Sequence, residues 1–411
     1  MRSQTSYALG RLCAVGTKPL ILFVANNYLT PATAQALAVT FLASALALVG
    51  AAAGPHRRFY ARYFSENTRL NGVTFYLYAA SVALLMLFGC AIVCGIVLYF
   101  THSPLMAAIG CLFFTSEKIA DEVLRLRLFE RNFPGWGRSS VIRSVSQLGL
   151  IALLLGLLRG ATGSPGLIVL MTVANLLAFV PQLPRRMLRN LWTHGALTSA
   201  WITRAAFRSL TRNWNLWLIA LLGSAVGYVD RMIALALDKA VLPVFMLVVM
   251  CFSLVQMAVD FYFVSRYRRD FLELRVHMPS VFTNRIFLLS FGGGLALACS
   301  ACIVVLHAAR NGSSFPVGYA AAICVVQAST SIAAIATEIL YWSRRLSGIL
   351  YIEFTFWTLF GVMALVARAF ALSATAFLAL AAACVVARLV SYVFAAARVV
   401  PARPTAASAT T

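Results

Sequence analysis

Acidic residues are scarce in this sequence, and so is lysine. Asp and Glu together number 12 among 411 residues, and Lys occurs only at positions 18, 118 and 239. Charged residues of both signs make up 11% of the chain, where a soluble domain carries about a quarter. So few charges do not cover a water-facing surface, and no segment is long and polar enough to form a separate soluble domain. Catalytic motifs are missing too. There is no GxxxxGK[ST] phosphate loop, no HExxH and no pair of CxxC motifs. The five His (56, 102, 194, 277 and 307) are scattered in or beside loops, which suits ordinary surface roles. We therefore expect no enzyme, no metal and no cofactor. The nine Cys sit in apolar runs and read as small buried hydrophobes, not as a disulfide framework. No small-residue cleavage site follows the first apolar run, so no cleavable signal peptide is expected.

What the chain does have is apolar length. Hydrophobic residues make up 61% of it, and they fall into runs of membrane-spanning length. The expectation is an all-α polytopic membrane protein with about twelve transmembrane helices. They cover 7–29, 32–53, 73–100, a run from 105 that becomes charged after 117, 141–158, 165–183, 213–237, 241–264, 286–308, 317–342, 347–370 and 374–397. The net charge of +22 would suggest nucleic acid in a soluble protein. No RNA- or DNA-binding motif accompanies it, so nucleic acid is not an expected partner. The basic residues fall mostly in short connections, which points to topology and to contact with anionic membrane lipids. Alternate connections divide them unequally. One set holds most of them; the other holds only Arg159, Lys239, Arg310 and Arg368. That asymmetry puts both termini in the cytoplasm.

The layout suggests two parallel six-helix lobes. The expected organisation is an N-terminal lobe over 1–190, an interfacial linker over 191–212, a C-terminal lobe over 213–398 and a disordered tail over 399–411. In each half a long basic loop follows the second helix, at 55–72 and 266–285. In each, an acidic residue follows Ser or Thr in the fourth helix: Ser116–Glu117 and Thr337–Glu338. Arg residues interleaved with Phe59, Tyr60, Tyr63 and Phe64, and with Trp192, Trp201 and Phe207, suit segments at headgroup depth. Gly292–Gly294, a triple glycine in an apolar run, reads as close helix packing.

Ionisable residues inside apolar helices are costly and mark pathways or buried ion pairs. The candidates are Arg11, Lys18, Glu117, Lys118, Asp121, Asp230, Arg231, Asp260, Glu338, Glu353 and Arg388. Of these, Arg11, Lys18, Arg231 and Arg388 are candidate substrate-binding cations, and Glu117, Asp230 and Glu338 candidate cavity or ion-coupling carboxylates. Two readings stand side by side: the charges line a polar cavity, or they lock neighbouring helices. Asp260, Glu338, Glu353 and Arg388 lie toward one end of their helices, where snorkelling is a sufficient account. Asp230 and Arg231 are adjacent, about 100° apart on a straight helix, so each is expected to find partners on other helices.

The stretch GYVDRMIALALDKAVLPVFMLV, 227–248, with its Asp230–Arg231 pair ahead of a short turn, resembles the polysaccharide-biosynthesis (Wzx-like) flippases of O-antigen and exopolysaccharide pathways. These belong to the multidrug/oligosaccharidyl-lipid/polysaccharide exporter superfamily. GRLCAVGTKPLILFVANNYLTPATAQALA, 10–38, is more loosely similar to the first hairpin of that family. The resemblance implies two lobes, alternating access and a lipid-linked glycan as substrate, moved across the bacterial inner membrane. It also implies coupling to a proton or sodium ion, with polysaccharide polymerase and glycosyltransferases as further partners. Residue correspondence covers Asp230 and Arg231 alone. A multidrug or metabolite antiporter of the same fold, and a non-transporting membrane partner of a polysaccharide-synthesis complex, are the alternatives.

Overall fold

A computed structural model describes residues 2–52, 72–129, 133–158, 163–179, 200–212, 214–237, 240–260, 263, 267, 276, 278–310, 312–343 and 345–399. The basic loop at 55–71, Trp192, most of the 266–285 loop and the tail from 400 lie outside the described residues. Among those described there is no strand, and the protein is an all-α polytopic membrane protein.

Ser/Thr–Pro steps start several helices. A hydroxyl at the cap accepts an orphan backbone N–H, and proline at the first helical position needs no partner for its missing one. Helix α1 (Arg2–Tyr28) ends before Thr30, whose hydroxyl accepts from the Thr33 amide at 3.3 Å and opens α2 (Pro31–Ala52). After α3 (Gly72–Thr101), the Ser103 hydroxyl accepts from Met106 N at 3.2 Å and opens α4 (Pro104–Phe129). Helices α5 (Phe133–Leu158), α6 (Ser164–Phe179) and α7 (Ala200–Arg212) follow.

The run at 213–237 is not one straight span. It divides into α8 (Trp214–Val226) and α9 (Val229–Leu237), bent by 59° at Gly227–Tyr228. Helices α10 (Leu242–Val259), α11 (Met278–Thr283), α12 (Arg285–Ala308), α13 (Val317–Trp342), α14 (Leu346–Ala369) and α15 (Ala374–Ala397) complete the order. Asn284 caps α12, accepting from Ile286 N at 2.9 Å and Phe287 N at 3.3 Å, and Ser373 caps α15.

By length and apolarity, seven of the described helices can cross a membrane, or eight if the bent pair is one span. Helix α6 is apolar but shorter. Helices α1, α4 and α5 carry Lys18, Glu117, Lys118 and Arg143 well inside their length. Burial is inverted relative to a water-soluble protein. Helix α14 buries Glu353 beside Ile349 and Phe356, while Leu365 is 70% exposed and Val362 52%. A surface of that kind fits hydrocarbon, not water.

The chain divides into two compact units, Met1–Leu221 and Leu222–Thr411. The division falls within α8. In the first unit α1 packs on α2, α2 on α3 and α4, α4 on α5 and α6, and α5 on α6. Much of that pattern recurs in the second unit, although the extensive packing of α3 on α4 has no comparable counterpart between α12 and α13. There α9 packs on α10, α10 on α12 and α13, α13 on α14 and α15, and α14 on α15. The pair α1–α5 is extensive in the first unit. Its counterpart is a single described hydrogen bond, from Trp357 Nε1 to the Leu222 carbonyl at 3.2 Å.

The triple glycine divides its work. A Cβ on Gly292 or Gly293 meets nothing within 4 Å, but one on Gly294 would stand 2.9 Å from Ala258 Cβ and 3.2 Å from Val255 Cα. Only Gly294 lets α12 approach α10 this closely. Gly294→Val should therefore cost about 1–3 kcal/mol of stability by overpacking. Gly293→Ala should be close to neutral. Equilibrium unfolding of both variants in mixed micelles checks the contrast, and equal midpoints would refute it.

The Cys are all free, as expected. Cys251, Cys302 and Cys384 are buried, whereas Cys94 and Cys299 are exposed, on the apolar faces of α3 and α12.

Candidate functional site

The first unit gathers its charge at one point on α4. Glu117 is buried, 4% exposed. One carboxylate oxygen takes Lys18 Nζ of α1 at 2.6 Å. The other accepts from the Arg143 guanidinium of α5 and from Asn175 Nδ2 of α6 at 2.9 Å. Asn175 also donates to the Ser116 hydroxyl at 3.0 Å. Its own carbonyl oxygen accepts from Arg143 Nε and from Gln147 Nε2, both at 2.8 Å. All four atoms that face this asparagine are satisfied, as a buried polar network requires.

Among the described residues two cations meet one carboxylate here, so the cluster carries one positive charge in excess. The Lys18 ammonium also lies 5.5 Å from the Phe113 ring centre and 5.9 Å from that of Phe41. Arg143 lies 5.9 Å from Phe179. The ring faces carry negative quadrupole and hold part of that excess. The Lys18 side chain keeps 24% of its surface exposed and Arg143 13%.

A second ionic group occupies the other side of α4. Lys118 is fully buried and pairs with Glu122 at 2.5 Å and Asp121 at 3.7 Å. Tyr78 of α3 donates to Glu122, and Arg125 Nε reaches Asp121 at 2.7 Å. Helix α4 thus carries ion pairs toward α1, α5 and α6 on one face and toward α3 on the other.

In the second unit the buried pair is Glu353 of α14 with Arg388 of α15. Arg388 Nε donates to both carboxylate oxygens, at 3.2 and 3.1 Å, and Nη2 closes a further bond to the same carboxylate. Tyr392 donates to Glu353 at 2.6 Å, and Nη2 of Arg388 reaches the Gly223 carbonyl at 3.5 Å. The guanidinium stacks 4.8 Å from the Tyr392 ring centre. A Cβ on Gly223 would stand 3.0 Å from a Glu353 oxygen, so a larger residue here would have to push the carboxylate back by a few tenths of an ångström. Glu353 and Arg388 are 1% and 4% exposed. Snorkelling does not describe them. Their partners lie within the bundle, and the charge is neutralised there instead of reaching an interface.

The two clusters draw on matching helices. In the first unit the groups come from α1, α4, α5 and α6. In the second they come from α8, the first half of the bent pair, and from α14 and α15, which hold the fifth and sixth places of the repeated packing pattern. The chemistry differs: the first cluster carries an excess cation, the second is neutral and closed.

Asp230 and Arg231 form a third group, at the break between α8 and α9. The bend frees backbone amides at the start of α9, where a carboxylate is favoured. Asp230 is fully buried and accepts from the Arg231 amide at 2.7 Å. Gln327 of α13 donates to its other oxygen at 3.4 Å. The Arg231 side chain turns back, with Nε 3.9 Å from Asp230 and the guanidinium 4.5 Å from the Tyr228 ring centre. Asp230 thus finds a partner on another helix, as expected, but Arg231 pairs back with Asp230, which corrects the expectation for the arginine. A straight helix holds adjacent residues apart, but this helix is broken one turn earlier and the long Arg side chain reaches back. Among the described residues, Arg231 Nε is buried with no hydrogen-bond acceptor.

The remaining candidates separate. Glu338 accepts from Trp342 Nε1 at 2.9 Å, one turn along the same helix. Asp260 stands at the C-cap of α10. Arg11 lies on α1, with its side chain outside the described residues. Arg143, Gln147 and Asn175 are the residues that sequence reasoning missed. The signal was present: Arg143 and Gln147 are four apart on one helix face, and Asn175 is a lone amide in an apolar run. Among the described residues no group of His, Cys, Asp and Glu is placed to hold a metal ion.

Comparison with family models, with curated proteins and with solved structures gave no match for this chain.

Proposed function

We propose that this protein is a transporter that flips an undecaprenyl-diphosphate-linked oligosaccharide across the bacterial inner membrane by alternating access. In this reading about twelve helices cross the bilayer as two parallel six-helix lobes, with both termini cytoplasmic. The observation that carries it is the cluster of Lys18, Glu117, Arg143 and Asn175. An ionic group with one cation in excess, inside an apolar bundle and still partly open at Lys18, is costly unless an anion completes it. A diphosphate supplies such an anion through charge-assisted hydrogen bonds, while the prenyl chain stays in lipid. The repeated packing pattern of the two units supports the two-lobe arrangement. Arg231, whose buried Nε has no acceptor among the described residues, is a second candidate substrate-binding cation. A proton or sodium ion drives the cycle.

The test is lipid analysis of a strain lacking the gene. A finished glycan repeat should accumulate on undecaprenyl diphosphate, and the wild-type gene should clear it. Arg231→Ala, at equal protein level in the membrane, should leave it accumulated. A mutant strain with no accumulation and intact surface polysaccharide would overturn the reading. Full clearance by Arg231→Ala would remove this residue from the site.

A further inference from the structure

Helix α7 stands outside both buried clusters and carries a pattern that transport does not use. Its sequence, AWITRAAFRSLTR, holds three Arg and no acidic residue. Arg204, Arg208 and Arg212 lie at i, i+4 and i+8 and are all exposed. Successive steps of four residues advance about 40° around a helix and about 6 Å along it. The three guanidinium groups therefore form one stripe, about 80° wide and about 12 Å long. Ala206, on the opposite side, is fully buried, and the helix packs on α3.

The stripe has an apolar border. Phe207 is 60% exposed and lies about 60° from Arg204 on the wheel. Two residues beyond Arg212, α8 begins with Trp214, 54% exposed, and runs on as an apolar helix. Trp217 Nε1 donates to the Gly50 carbonyl at 2.9 Å, which ties this entry to the last turn of α2. Tryptophans at the mouth of an apolar helix mark the depth where hydrocarbon gives way to headgroups. A basic stripe at that depth, with an exposed aromatic ring at its edge, meets phosphate and acyl chain together. A free phosphate would use the Arg but leave Phe207 in water.

We infer that the exposed face of α7 is a binding site for anionic phospholipid. Arg204, Arg208 and Arg212 hold the headgroup phosphates, and Phe207 enters the acyl boundary. The inference is independent of the transported substrate.

The experiment uses the full chain in nanodiscs and phosphatidylglycerol with a photoreactive headgroup, diluted in phosphatidylcholine. Cross-linked peptides are mapped by mass spectrometry. The peptide carrying 200–214 should be labelled, and excess inorganic phosphate should not protect it. Each basic residue near a charged surface is worth about fivefold. Arg204→Gln, Arg208→Gln and Arg212→Gln together should therefore cut labelling of that peptide about 100-fold at low lipid fraction. Labelling elsewhere in the chain should not change, which reports an intact fold. The corresponding triple Lys variant should retain labelling, and Phe207→Ser should weaken it. An unlabelled α7 in the wild type, equal labelling in the triple Gln variant, or protection by inorganic phosphate would each overturn the inference.

Discussion

Glu353→Ala should destabilise the protein by about 3–5 kcal/mol, the cost of leaving a buried charge without its partner. Arg388 is 4% exposed, and the groups left around it are the Tyr392 hydroxyl and the Gly223 carbonyl. Neither carries the negative charge that offsets its desolvation. The double variant Glu353→Leu/Arg388→Met removes both charges and keeps the volume. It should recover most of the loss, because replacing a buried pair by apolar groups is often neutral or favourable. Unfolding in mixed micelles measures all three proteins. A double variant no more stable than Glu353→Ala would show that the hydrogen-bond network, not charge balance, holds α14 to α15.

The first unit should respond to charge removal unequally, and the asymmetry separates binding from stability. Lys18→Gln leaves Glu117 paired with Arg143 and Asn175, so the cluster becomes neutral and its buried carboxylate stays satisfied. The fold should be kept. Transport should fall about 10- to 150-fold, since a hydrogen bond to a charged group is worth about 1.5–3 kcal/mol. Glu117→Gln instead leaves Lys18 and Arg143 facing each other across a neutral amide. It should lower stability as well as transport. The readouts are clearance of the accumulated lipid-linked repeat, at matched protein level, and the unfolding midpoint in micelles. Normal clearance by Lys18→Gln would remove the excess-cation argument. A fold lost in Lys18→Gln but kept in Glu117→Gln would reverse the assignment of the carboxylate as the keystone of the cluster.

The residues that sequence reasoning reached and those it missed divide along a physical line. Lys18 and Glu117 were legible because a charge inside a long apolar run is anomalous wherever it points. Arg143 was not, because the apolar run beginning at 141 made it look like a flanking residue. Helix α5 begins at Phe133, which puts Arg143 nearly three turns inside. Glu353 and Arg388 were legible as charges but not as a pair. They sit 35 positions apart on neighbouring helices, and helical periodicity carries no information about partners at that separation. Asp230 and Arg231 were legible as a motif, but their geometry depends on the break at Gly227–Tyr228.

By itself the sequence determined the class of the molecule and the starts of those helices that open on a Ser/Thr–Pro step. Apolarity summed over about 20 residues decides whether a segment belongs in hydrocarbon. A Ser/Thr–Pro step decides where a helix starts through atoms only a few residues apart. Both are local properties of the chain. Only the tertiary structure decided which charges meet, which of them remain partly open, and where the helix at 213–237 bends. Those outcomes depend on packing between helices. There the cost of burying an ion is set by the one partner within about 4 Å of it, and that partner can come from anywhere in the chain.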